Sequence, residues 1–206
     1  MENVKASLKR IERTLQDQLG RRERLIKESR DVISSCARSI INLHNGKPAD
    51  AAKELAKARR LLNELKKASA GQVARYLVSP EAEFVEASVV YALVRGRPVP
   101  SITTLDAGPE AYVLGLLDSV GELKRQVLDS IMNGKVKTAR KHFAEMQELY
   151  SVLSPFAAYE HVVNGAKRKI DVARILVEDT RGVLTEEIRR ERLVSSMEKL
   201  NKRVSS

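Results

Sequence analysis

Apolar residues recur every three or four positions along nearly the whole chain, and no stretch keeps the strict alternation of a half-buried strand. The pattern predicts an all-α protein. Its first helix runs over 2–45, where Val4, Leu8, Ile11, Leu15, Leu25, Val32, Cys36 and Leu43 follow a near-heptad seam. Gln18, Arg22 and Ser29 interrupt that seam, and Gly20 is a candidate kink. A helix of roughly 40 residues is about 60 Å long, more than its own domain needs to cover it. Asn45-Gly46-Lys47-Pro48 ends it and opens a second helix over 49–69, which a connector from Gly71 to Ser79 joins to a third. The third ends near Arg95-Gly96, and the stretch from there to Gly108-Pro109 is the longest irregular one. Further helices are expected over 110–132, 136–153, 156–180 and 185–203, punctuated by Asn133-Gly134, Ser154-Pro155 and Arg181-Gly182, with Thr185 capping the last. No repeat or linker breaks the series, so residues 1–206 read as one domain of seven helices.

The third helix, 79–94, breaks the amphipathic rule. Ser79 suits the N-cap, Pro80 the first turn, and Glu81 the positive end of the helix dipole. Beyond them the segment is apolar nearly all round, which marks a buried helix. Yet Glu83 and Glu86 stand inside it, three positions apart and so on one face. An unpartnered buried carboxylate is costly, so two of them need compensation. The helix over 110–132 repeats the conflict: Asp118 and Glu122 lie one turn apart in a mostly apolar segment. Two helices of a bundle that each present two acids inward are one way to build a metal site; a solvated polar stripe is the other reading. Carboxylate oxygens without His or Cys suit a hard cation, Mg2+ or Mn2+, which supports phosphodiester hydrolysis.

Charge changes the picture further. The net charge of +10 over 206 residues favours a polyanionic partner, nucleic acid or an anionic membrane surface. Arg21, Arg22, Arg24, Lys27 and Arg30 crowd ten positions of the first helix, as phosphate contacts or as a solvated face. Aromatics are only 4% of the chain, so binding would rest on backbone charge more than on base stacking. No apolar run reaches the roughly 20 residues that span a bilayer, so no membrane role is expected. The lone Cys36 and a start without a signal-peptide core suit a reducing, cytoplasmic setting. Cys36 lies on an apolar stripe and reads as a buried structural thiol, while His44, His142 and His161 read as cap or surface residues. Phosphate loops, zinc-protease motifs and nucleophile elbows do not occur.

Three blocks resemble the translin family, and within it translin-associated factor X (Trax) in its shorter archaeal-type form. They are Arg21-Arg-Glu-Arg-Leu-Ile-Lys-Glu-Ser-Arg-Asp31 with Leu43-His44; Glu83-Phe-Val-Glu-Ala87 with Arg97; and Tyr112-Val-Leu-Gly-Leu-Leu-Asp118-Ser-Val-Gly-Glu122-Leu-Lys-Arg125, ending in Asn133-Gly134. A fainter likeness continues through Lys169-Ile-Asp171-Val and Arg181-Gly182. The resemblance implies a seven-helix fold, a hollow homo-oligomer (an octamer in the family) and binding of single-stranded RNA or single-stranded DNA. It also implies that Glu83, Glu86, Asp118 and Glu122 hold Mg2+ or Mn2+ and cleave single-stranded RNA endonucleolytically. Lys124 and Arg125, at the end of the third block, join the candidate nucleic-acid contacts. Two departures are Ala111, where an acid usually precedes the tyrosine, and a shorter loop after the third helix. Translin, the non-catalytic partner, has apolar residues at the first acid pair. The rival expectations are a non-catalytic single-strand binder and a structural bundle that docks on an acidic protein surface.

Overall fold

The structure, a computed structural model, describes residues 1–69 and 76–204. Those residues form seven α-helices and no strand: α1 (Glu2–His44), α2 (Pro48–Ala68), α3 (Val78–Val94), α4 (Ile102–Leu105), α5 (Pro109–Met132), α6 (Val136–Leu153) and α7 (Ala166–Val204). The all-helical expectation and the long first helix both hold. Of the expected connector from Gly71 to Ser79, the part up to residue 75 lies outside the described residues.

α3 sits at the centre, against α1, α2 and α5. Its near-continuous apolar surface is why: Phe84, Val85, Ala87, Val89 and Val90 are all buried, and past Ser79 no residue of the helix is fully exposed. α3 and α5 approach unusually closely. A Cβ added at Gly115 would lie 2.4 Å from the Ala82 carbonyl oxygen and 2.7 Å from Val85 Cβ. Only glycine fits there, and the contact brings the two acid-bearing segments side by side. α1 and α2 also pack closely through small residues, with the buried Ser39 hydroxyl donating to the Ala51 carbonyl at 2.9 Å.

The seam of α1 serves the core only from Leu25 onward; Leu25, Val32, Cys36 and Leu43 are buried. Val4, Leu8, Ile11 and Leu15, on the same stripe, are 51–58% exposed. Gly20 lies within the uninterrupted helix rather than ending it.

Four local expectations need correction. The helix expected over 156–180 and the one over 185–203 are a single helix, α7, because Gly182 meets nothing within 4 Å and the apolar period continues to the buried Leu184. One exposed glycine costs a helix only about 1 kcal/mol, too little to stop it. Thr185 does not cap; its hydroxyl donates to the Arg181 carbonyl one turn back. The helix expected from 156 does not begin there: Ser154–Tyr159 is a 3-10 turn, and α7 starts only after Gly165, at φ +85. There the Glu160 carboxylate accepts from the amides of Gly165 (3.0 Å) and Lys167 (2.6 Å), bonds that lower its pKa. Ser79 is likewise inside α3, whose N-cap position is Leu77. The irregular stretch after α3 contains α4, capped by Ser101 accepting from the Thr104 amide at 3.2 Å. Glu81 does more than face a helix dipole: buried, it accepts from Gly108 N at 2.8 Å and pairs with Lys66 at 3.2 Å, tying the starts of α3 and α5 to the end of α2.

Candidate active site

The close contact at Gly115 places Glu83 and Glu86 of α3 beside Asp118 and Glu122 of α5, and the four carboxyls act on one another. Glu86 is pushed up to about 8 from an ordinary 4.5, by burial first and then by Asp118, Glu83 and Glu122. Glu83 is raised as well, by burial and then by Asp118. The four acids picked out by spacing on two separate helices are thus brought together. Near neutral pH and without a cation, Glu86 keeps its proton.

Two further helices supply partners. Lys169 of α7 places its ammonium on Asp118 Oδ1, and its charge also opposes the rise at Glu83 and Glu86. His44, the last residue of α1, sends Nε2 to Glu122 Oε2 at 2.7 Å and Nδ1 to Asp129 Oδ2 at 2.8 Å, with Gln126 Nε2 3.1 Å from Nδ1. Its side chain is 3% exposed. His44 is therefore a buried bridge, not a cap or surface group. His142 is also buried, against Glu145 at 2.8 Å, and of the three histidines only His161 matches the surface expectation. Cys36 is buried and its thiol is pushed up to about 12, by burial first and then by Glu83 and Glu86. It packs behind the acids as an inert thiol. Among the described residues, no three His, Cys, Asp or Glu side chains stand at metal-holding spacing.

Beside Asp118 a cleft of about 400 Å³ opens between α5 and α7, lined by Leu117, Gly121, Gly165, Arg168 and Lys169 among others. The basic residues of α1 occupy a different place. Arg21, Arg22, Arg24, Lys27 and Arg30 are all exposed, on the stretch of helix just before and around Leu25. Arg21 pairs with Asp17 at 2.9 Å and Arg24 loosely with Glu28 at 4.0 Å, one turn apart in each case. Arg22 donates to the Tyr76 hydroxyl at 2.9 Å and lies over its ring. Lys124 turns toward α7 and Asp179 at 3.5 Å, whereas Arg125, one turn past Glu122, is exposed. Spacing alone did not mark Lys169, His44 or Gly115 as parts of the site; all three stand inside the quoted blocks, but nothing local marked their contacts, while Cys36 is the buried thiol expected of it.

No family model matches the sequence. The chain is 36% identical over 166 residues to an uncharacterized protein of Methanocaldococcus jannaschii, a match spanning 78% of this chain and 73% of that one. Among solved structures it is similar to a complex of AfC3PO with duplex RNA, at TM-score 0.80 and 26% identity over 89% of this chain and 97% of that chain. A crystal structure of AfC3PO gives TM-score 0.78 and 27% identity over the same shares. The fold is shared with apo-NeC3PO too, at TM-score 0.74 and 19% identity over 87% of this chain and 96% of that chain. Among the described residues no helix is long and apolar enough to cross a membrane.

Proposed function

The chain belongs to the translin family, and from that premise we propose that it is a Trax-type, metal-dependent endoribonuclease that acts on RNA. One observation carries the reading: acid pairs from two helices act on one another, so that burial first and then Asp118, Glu83 and Glu122 raise Glu86 to about 8 even with Lys169 nearby. The chemistry of the donor set, carboxyl oxygens that raise one another's pKa, suits a hard divalent cation, which would neutralise them. Glu83, Glu86, Asp118 and Glu122 would hold Mg2+ or Mn2+. When bound, such an ion supplies charge neutralisation and an activated water at a phosphodiester. The chain's own contribution is positional. α3 and α5 fix the two pairs through the Gly115 contact, and His44 with Asp129 holds Glu122 in place.

RNA contact rests on charge. The exposed Arg21, Arg22, Arg24, Lys27 and Arg30 of α1, with Arg125 and Lys124 on α5, supply phosphate partners. Single strands fit the expectation from sequence, while the duplex RNA held by AfC3PO makes duplex the comparison substrate. The exposed apolar stripe Val4, Leu8, Ile11 and Leu15 supports self-association into a homo-oligomer.

A second reading, a non-catalytic RNA binder with structural acids, draws on the partners already present: Lys169 on Asp118 and His44 on Glu122. Incubating the purified protein with end-labelled single-stranded RNA and duplex RNA in Mg2+, Mn2+ or EDTA separates the two. Internal cleavage in metal and none in EDTA supports the nuclease; binding without cleavage under every condition supports the binder.

A further inference from the structure

We propose that Lys169 is a tethered cation seated in the acidic centre, and that it must leave Asp118 before a divalent ion can take the carboxylates. The inference rests on the metal-dependent reading of that centre and adds to it a residue from a helix that contributes none of the acids.

The placement of Lys169 follows from local structure. The Glu160 carboxylate fixes the first amides of α7, and Ala166, Ile170, Ala173 and Val177 form its buried stripe. Lys169 flanks that stripe on the side of α5, where its ammonium meets Asp118. It also acts on Glu83 and Glu86, so one positive charge serves three of the four acids. A bound divalent ion would seek the same oxygens, and two cations in one carboxylate centre repel each other.

The partners of the acids differ in freedom. His44 is buried, with both ring nitrogens engaged, and has nowhere to go. The Lys169 and Asp118 side chains are 38% and 31% exposed, and both line the cleft between α5 and α7. The flexible four-carbon stem of lysine can therefore withdraw its ammonium into the cleft without unfolding anything.

Mn2+ alone is the probe, titrated into metal-free protein and followed by calorimetry or by the electron paramagnetic resonance of free Mn2+. Lys169→Met keeps the length of the stem and removes the charge. It should tighten Mn2+ binding by on the order of tenfold, the ratio that about 1.4 kcal/mol of lost competition corresponds to. Its unfolding temperature should fall in EDTA, because the acids lose their counter-charge, and recover with Mn2+. Lys169→Arg keeps a cation that grips carboxylates through two donors, so its Mn2+ affinity should match the wild type or fall below it. Unchanged or weaker binding in Lys169→Met overturns the inference alone. Should Lys169→Met fail to fold, tighter binding in Lys169→Arg would overturn it. No Mn2+ binding in wild type or either variant, or binding that persists in Asp118→Asn, overturns the metal reading and this inference with it.

Discussion

Replacing Glu86 with Gln should flatten the pH dependence of stability in metal-free buffer. The native carboxyl titrates near 8, whereas the same group in the unfolded chain titrates near its ordinary 4.5. Between those values the unfolded state has released a proton that the folded state still holds. Folding stability from this group is therefore complete below pH 4.5 and is lost as the pH rises to about 8, at about 1.4 kcal/mol per pH unit. From pH 6 to pH 8 the loss comes to about 2 kcal/mol, allowing for the native group's own titration near the upper end. Glu86→Gln cannot ionise, so its stability should fall by clearly less over that window. Glu83 is raised in the same direction, by burial and then Asp118, and its contribution is common to both proteins. Urea denaturation in EDTA at pH 6, 7 and 8, at one fixed protein concentration, reads this directly through the midpoint and its slope. Parallel losses in wild type and Glu86→Gln would refute the argument that burial and the neighbouring acids hold that proton.

Three further outcomes are expected. Gly115→Ala puts a methyl group 2.4 Å from the Ala82 carbonyl oxygen, so it should cost about 1–3 kcal/mol and lower RNA cleavage by spreading α3 from α5; calorimetric unfolding and cleavage assays check both. Arg21→Ala, Arg22→Ala and Arg24→Ala together should weaken binding of all RNA sequences alike and reduce the salt slope of affinity, measured by fluorescence anisotropy; an unchanged slope would leave those residues as a solvated face. Leu8→Lys with Leu15→Lys, on the exposed stripe of α1, should shift the protein toward monomer in sedimentation velocity while leaving its helical circular dichroism intact.

How far the sequence could be read depended on whether a signal was local. The helix over 110–132 differs from α5 by one residue at its start, and that over 136–153 matches α6, because apolar period and flanking Gly or Pro agree there. Gly182 misled because a glycine signals a break only when the apolar period also stops, and here the period carries on to Leu184. The acid pairs stood out because each sits in a segment too apolar for a charge. That they face one another was not readable from spacing, which orders residues within a helix and says nothing of its neighbour. The residues that partner the acids were further from reach. Lys169 is 51 positions from Asp118, and His44 is 78 from Glu122. Lys169 stood only in the fainter block of likeness, and His44 read as a cap or surface residue. Their roles emerge only when α1, α5 and α7 pack. The near-heptad seam of α1 was legible as a pattern, but only the packing divides it into a core half and an exposed half.

In the proposed function the acids of α3 and α5 cut RNA while basic residues elsewhere hold it. The decisive comparison is wild type against Asp118→Asn on one end-labelled single-stranded RNA in Mn2+, with the single-turnover cleavage rate and the dissociation constant measured on the same preparation. Cleavage should be abolished in Asp118→Asn, while affinity for RNA stays within about twofold of wild type. Equal cleavage rates in the two proteins would contradict the proposed function.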